Sequence, residues 1–178
     1  SAAGGIMVTA SHNPPADNGI KVRDSTGAAV PPKDLENIER AIECRVGTET
    51  ASLPYAQARA AGLISEFDPR PKYLDGLRSA VDVERLSQAT FPIVMDSMWG
   101  AGAGYLEALF ENSEVAIRSI RNTRNPAFPG IARPEPIPPH TNLLCDTVLE
   151  LGAHLGLAND GDGDRLGVVD EKGQFVDK

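Results

Sequence analysis

Residues 91–120 read FPIVMDSMWGAGAGYLEALFENSEVAIRSI, and this stretch decides the fold class. Its apolar runs and glycines predict four consecutive segments: a buried strand from Phe91 to Met95, a loop from Asp96 to Gly104, a helix from Tyr105 to Phe110 and a strand from Val115 to Ile120. Strands that alternate with helices indicate an α/β architecture, in which helices cover a sheet. We therefore predict layered mixed β-sheets with flanking helices.

Similar patterns extend to both sides of this stretch. On its C-terminal side they predict an irregular loop with six prolines over 121–140, a helix over 143–151, a strand over 154–158, and a hairpin of 166–170 with 174–176. On its N-terminal side they predict strands over 5–10, 19–23 and a short one ending at Val30, helices over 33–44 and 73–81, and a connector over 46–64.

The prolines at 69 and 71 indicate a linker, so we expect one domain over residues 1–66 and a second over 67–178. The apolar run over 5–10 has no polar face, which is typical of a central strand with neighbours on both sides. Only Ser1, Ala2, Ala3 and Gly4 precede it. We therefore expect that the chain begins inside a domain whose other strands it lacks.

The composition excludes several classes of protein. Of the 178 residues, 41% are hydrophobic, as in ordinary folded domains, and the net charge of -8 disfavours nucleic-acid binding. No apolar run reaches the roughly 18 residues that a membrane span needs, so we expect no membrane partner. Cys44 and Cys145 are too few for a disulfide framework and predict free thiols in a reducing, cytoplasmic location.

The strongest chemical motif is the loop from Asn159 to Arg165, which reads NDGDGDR between two predicted strands. Asp160, Asp162 and Asp164 alternate with glycines, and three such carboxylates can converge on a hard cation such as Mg²⁺. A solvated acidic turn is the alternative. An EF-hand loop is a poorer match, because Arg165 stands at the sixth position, where the sharp turn needs glycine.

Two further loops follow predicted buried strands. The first, from Thr9 to Gly19, would present the hydroxyl of Ser11 to solvent, although Ser-His-Asn-Pro is also ordinary turn chemistry. The second, from Asp96 to Gly104, is rich in glycine but does not match the nucleotide-binding pattern G-x-G-x-x-G. A tight connection between a strand and a helix is the predicted role of this second loop, and nucleotide binding is the alternative.

Two motifs together resemble the signatures of the α-D-phosphohexomutases: Thr-Ala-Ser-His-Asn-Pro over 9–14 and Asp-Gly-Asp-Gly-Asp-Arg over 160–165. The proline-rich stretch over 128–136 is similar to the segment that precedes the metal loop in that family. The resemblance implies a four-domain enzyme, of which this chain would carry the end of the first domain and the second domain. The missing domains of the same enzyme are then expected partners, and the chain alone is expected to be inactive.

The resemblance also implies roles for individual residues. Ser11 would carry the transferable phosphoryl group, and a phosphoserine oxygen would join Asp160, Asp162 and Asp164 as ligands of Mg²⁺. Lys21 would act as the general acid and base, and His12 and Arg165 would surround the phosphate. The implied reaction is phosphoryl transfer between positions 1 and 6 of a hexose phosphate, with a hexose 1,6-bisphosphate as intermediate or activator. The alternative is a divalent-metal-binding α/β module without catalytic activity.

Overall fold

The computed structural model describes residues 2–49 and 52–177, and its residues form two compact units. The first unit contains the residues before Val8 together with Ile20–Pro69, and the second contains Val8–Gly19 together with the residues from Arg70 onward. The loop that carries Ser11 therefore belongs to the second unit. Ser1 and residues 50 and 51 of the expected connector lie outside the described residues, and the division at residues 66 and 67 stays a prediction.

Strands β1 (Gly5–Val8) and β2 (Ile20–Arg23) form a two-stranded sheet, which belongs to the first unit except for Val8. Helices α1 (Pro32–Glu43) and α2 (Tyr55–Ala60) follow in the same unit. Helix α2 corrects the predicted connector: it starts directly after Pro54 and buries Ala58, but six residues are too few to show an apolar period. The expected strand ending at Val30 is reduced to an isolated bridge between Arg23 and Ala29.

The prediction that β1 is buried on both faces is wrong for this chain. All four of its residues are exposed, and Ile6 retains 74% of its accessible surface. The physical reason is that, among the described residues, β1 pairs with β2 and with no other strand.

The second unit is an α/β layer structure. Helices α3 (Arg70–Ala80) and α4 (Val83–Leu86) precede strand β3 (Ile93–Asp96), helix α5 (Tyr105–Leu109), strand β4 (Ile117–Ile120), helix α6 (Asn142–Leu151), and strands β5 (Leu155–Asn159) and β6 (Leu166–Val169). The strands lie in the order β4-β3-β5-β6. Strand β3 is parallel to both β4 and β5, and β6 is antiparallel to β5. The predicted α/β class is confirmed.

Helix α6 packs directly on this sheet. Its residues Leu144 and Val148 are fully buried against Val94, Ala158 and Val169 of the strands. Gly156 permits this close packing, because a Cβ there would lie 2.8 Å from Cγ2 of Val148. Trp99, in the loop after β3, is half-buried and donates from Nε1 to the carbonyl oxygen of Pro129 at 3.0 Å.

The strand order reverses at β3, at the carboxyl ends of the parallel strands. After β3 the chain runs to β4 on one side and then crosses to β5 on the other side. In open parallel sheets, ligands bind where the order reverses in this way, at the carboxyl ends of the strands. The glycine-rich loop, residues 97–104, follows β3 at this point, and the acidic loop, residues 160–165, follows β5.

No helix among residues 2–49 and 52–177 combines the length and the apolar character that crossing a membrane requires.

Candidate functional site

The acidic loop brings its three aspartates together directly after β5. One carboxylate oxygen from each of Asp160, Asp162 and Asp164 lies within 4.8 Å of the others, and burial decreases from Asp160 to Asp164. Asp160 shapes the turn, because its Oδ1 accepts the backbone N–H groups of Asp164 at 3.0 Å and of Arg165 at 3.1 Å. Three oxygen donors in this arrangement suit a hard divalent cation such as Mg²⁺.

The electrostatics of the loop favour a cation. Burial raises the pKa of Asp160 above the ordinary aspartate value, and the charges of Asp162 and Asp164 raise it further. The hydrogen bonds from the Arg165 N–H and from Ser11 oppose this rise. A bound divalent cation would offset the mutual repulsion of the carboxylates.

The hydroxyl of Ser11 lies against the same carboxylates. Its Oγ is 3.2 Å from Oδ2 of Asp160 and 3.1 Å from Oδ1 of Asp162, so its single proton can be donated to either. These contacts join residues that are 149 and 151 positions apart in the sequence. Ser11 has a left-handed backbone with φ of 56°, which is uncommon for a residue other than glycine.

Thr9 holds the backbone of Ser11 in position. The sequence predicted no role for Thr9, although it lies in the motif over 9–14. Its Oγ1 accepts the backbone N–H of Ser11 at 2.8 Å and donates to Oδ2 of Asp162 at 3.2 Å. The hydroxyl groups of Thr9 and Ser11 therefore join the loop that carries Ser11 to the acidic loop.

His12 and Arg165 meet at Glu135, a residue of the proline-rich loop that the sequence did not single out. Oε1 of Glu135 lies 3.9 Å from Nε2 of His12 and 3.9 Å from Nη1 of Arg165. Nδ1 of His12 is 3.4 Å from Oγ of Ser11, and Nε of Arg165 is 4.0 Å from Oδ2 of Asp160. The Glu135 side chain is only 14% exposed, and it also pairs with Arg133 at 2.6 Å, without the alignment of a hydrogen bond.

Six of the seven predicted site residues lie in the second unit: Ser11, His12, Asp160, Asp162, Asp164 and Arg165. Lys21 lies in β2, which belongs to the first unit.

The chain matches known proteins along almost its whole length. The model of the family described as "Phosphoglucomutase/phosphomannomutase, alpha/beta/alpha domain II" matches residues 71–173, and that of "domain I" matches residues 1–46. A phosphoglucosamine mutase of Exiguobacterium sp. (strain ATCC BAA-1283 / AT1b) is 36% identical over 180 residues, which include 99% of this chain. The phosphoglucosamine mutase of Synechococcus sp. (strain CC9311) is 37% identical over 185 residues, and this match also covers 99% of this chain.

Two solved structures are also similar to this chain. A structure from Thermus thermophilus has a TM-score of 0.81 and 36% sequence identity to this chain. The match covers 98% of this chain and 38% of the Thermus chain. A phosphoglucomutase/phosphomannomutase family protein from Burkholderia thailandensis has a TM-score of 0.68 and 28% sequence identity. The match covers 96% of this chain and 34% of the Burkholderia chain. The chain spans only 37% of the length of the two phosphoglucosamine mutases named above. The domain II match alone exceeds half of the residues, and so the chain belongs to the phosphoglucomutase/phosphomannomutase family.

Proposed function

We propose that this chain carries the phosphoserine and the metal ligands of an enzyme that transfers a phosphoryl group between positions 1 and 6 of a hexose phosphate. The observation that supports this most directly is the position of the Ser11 hydroxyl, within hydrogen-bonding distance of both Asp160 and Asp162. A phosphoryl group on this Oγ would have its oxygens beside any cation that the two carboxylates hold.

The proposed reaction transfers the phosphoryl group from Ser11 to a sugar hydroxyl. The bond between phosphorus and Oγ of Ser11 breaks, a bond from phosphorus to the sugar oxygen forms, and the sugar proton passes to Lys21. The hexose 1,6-bisphosphate then turns around, and Oγ of Ser11 attacks its other phosphoryl group. The bond from that phosphorus to the sugar oxygen breaks, and Lys21 returns its proton to this oxygen. Catalysis of this kind depends on positioning and on neutralising charge.

Each residue of the site has one proposed task in this scheme. Asp160, Asp162 and Asp164 would hold Mg²⁺ together with an oxygen of the phosphorylated serine, and a bound Mg²⁺ neutralises the negative charge that gathers on the phosphoryl oxygens. The positive charges of Arg165 and Lys21 would do the same from other directions, and His12 would face the phosphate beside Oγ of Ser11. A cytoplasmic location is part of the proposal.

The test uses a chimera, because the chain spans little more than a third of its relatives. The chain replaces the aligned segment of the Exiguobacterium phosphoglucosamine mutase, and hexose phosphate interconversion is measured with Mg²⁺ and a hexose 1,6-bisphosphate. We expect activity from the chimera and no turnover from the chain alone. Ser11→Ala should be at least as damaging as Lys21→Ala, whose loss of proton transfer is expected to cost about 10²–10⁴-fold.

Intact mass distinguishes the carrier from the proton-transfer residue. The active chimera should contain a phosphorylated species, which Ser11→Ala removes and Lys21→Ala retains. An active chimera without phosphate on Ser11, or with phosphate on Ser25 instead, would contradict the mechanism. A chain that binds Mg²⁺, in a chimera that neither turns over nor carries phosphate, would favour the non-catalytic metal-binding module.

A further inference from the structure

The glycine-rich loop, residues 97–104, has no task in the chemistry proposed above, but its backbone lies directly behind the acidic loop. A Cβ at Gly100 would lie 2.7 Å from the carbonyl oxygen of Gly161 and 2.9 Å from that of Asp160. The N–H of Ala101 donates to the same Gly161 oxygen at 3.0 Å. Any side chain at position 100 would therefore displace the backbone of the acidic loop.

The opposite side of the acidic loop is in equally close backbone contact with the serine loop, residues 9–19. A Cβ at Gly161 would overlap the carbonyl oxygen of Ser11, and it would lie 2.9 Å from Cγ of Pro134. The backbones at Gly100, Gly161 and Ser11 are thus stacked with no side chain between them. These contacts would carry a displacement that starts at Gly100 to Ser11.

The glycine-rich loop is held too firmly to move away. Met98 and Trp99 both have left-handed backbones, with φ of 45° and 61°. Such strain persists only where the surrounding structure fixes the chain. The N–H of Met98 donates to Oδ1 of Asp96 at 2.9 Å, the N–H of Trp99 donates to the carbonyl of Arg121 at 2.8 Å, and Met98 is fully buried.

We propose that Gly100 and Gly161 are positioning residues that set the distance between the acidic loop and Ser11. The glycine-rich loop is the rigid support for this spacing, and it thereby adjusts the affinity of the site for a divalent cation. The role of the cation rests on the proposed function. The spacing itself rests only on the backbone contacts.

The experiment compares alanine substitutions in the ¹⁵N-labelled chain by NMR. Gly100→Ala places a methyl group against the acidic loop. Gly104→Ala strains the same glycine-rich loop, because Gly104 has φ of +77°, but its Cβ would meet Nη2 of Arg70 at 2.9 Å instead. Gly76→Ala is the neutral control, since a Cβ there has no neighbour within 4 Å. The amide signals of Ser11 and Asp162 are recorded without metal, and Mg²⁺ is then titrated.

We expect Gly100→Ala to shift the signals of Ser11 and Asp162 and to weaken Mg²⁺ binding by about tenfold or more, as is usual when the groups that support metal ligands are disturbed. Gly104→Ala should lower the thermal midpoint and leave the Mg²⁺ affinity unchanged, and Gly76→Ala should change neither the signals nor the affinity. If Gly100→Ala does not fold, Gly102→Ala replaces it: its Cβ would lie 3.2 Å from Oδ1 of Asn159, so a smaller change in the same direction is expected.

Two results overturn the inference. One is a folded Gly100→Ala variant, or Gly102→Ala in its place, with the signals and Mg²⁺ affinity of the parent. The other is a Gly104→Ala variant that loses affinity to the same extent, since general destabilisation would then explain both. A parent chain that binds no Mg²⁺ contradicts the proposed function instead, and the metal-free signals still test the spacing.

Discussion

Arg121 and Asp96 form a buried ion pair at the carboxyl ends of β3 and β4. Asp96 is fully buried, and its Oδ1 accepts from Nε of Arg121 at 2.9 Å, while Oδ2 contacts Nη2. The same guanidinium donates to the carbonyl of His140 at 2.9 Å. The pair therefore ties two strand ends and the proline-rich loop together beneath the glycine-rich loop.

Removing one member of this pair should destabilise the chain strongly. Arg121→Met leaves the carboxylate of Asp96 buried without its partner, which is expected to reduce the free energy of unfolding by about 3–5 kcal/mol. Urea denaturation measures this. Arg118→Met, at an exposed position of β4, is the matched control and should change it by less than about 0.5 kcal/mol. Equal losses in the two variants would contradict the assignment.

Asp162→Asn should weaken Mg²⁺ binding severalfold. The substitution replaces a charged oxygen donor by a neutral one of the same size, and hard cations prefer the charged donor. Calorimetry on the chain measures the affinity. Asp146→Asn, at an exposed position of α6, removes the same charge outside the site and is expected to bind as the parent does. If Asp162→Asn bound as tightly as this control, Asp162 would not be a ligand.

His140 should make the stability depend on pH. Burial lowers the pKa of His140 below its ordinary value of 6.5, Arg133 lowers it further, and Glu135 opposes this shift. A lowered pKa means that the unfolded chain binds the proton more readily. The resulting stabilisation is complete above pH 6.5 and is lost as the pH falls through the lower folded-state pKa.

The measurement is the free energy of unfolding between about pH 5 and pH 8, which brackets the titration range of histidine. Its decline on acidification should be shallower in His140→Gln than in the parent. His154→Gln, at an exposed position, serves as the control and should keep the parent's decline. An identical decline in His140→Gln and the parent would show that His140 does not contribute.

Much of the second unit could be predicted from the sequence because its elements have clear local patterns. The apolar run before Asp96 became β3, and the periodic segment ending at Leu151 became α6. Helix α4 was not predicted, because its four residues are too short to show a period. Helix α2 was missed for the same reason.

Contacts between distant loops had no local pattern to predict them. The carboxylates of the acidic loop were expected from their spacing, but their contact with Ser11 was expected only from the family resemblance. The contacts of Glu135 and Gly100 with the site were not predicted, since a glutamate between two prolines and a glycine after a strand are both common in ordinary turns. Their positions follow from how the loops pack on one another, which depends on the whole sheet.

The left-handed backbone of Ser11 bears on which amino acid can occupy its position. Serine and threonine can both be phosphorylated, but a β-branched side chain is strongly disfavoured where φ is positive. Ser11→Thr should therefore lower the thermal midpoint of the chain, whereas Ser11→Asn should be tolerated, and a threonine variant as stable as the parent would contradict this. If Ser11 carries a phosphoryl group as proposed, the shape of the main chain favours serine over threonine at this position.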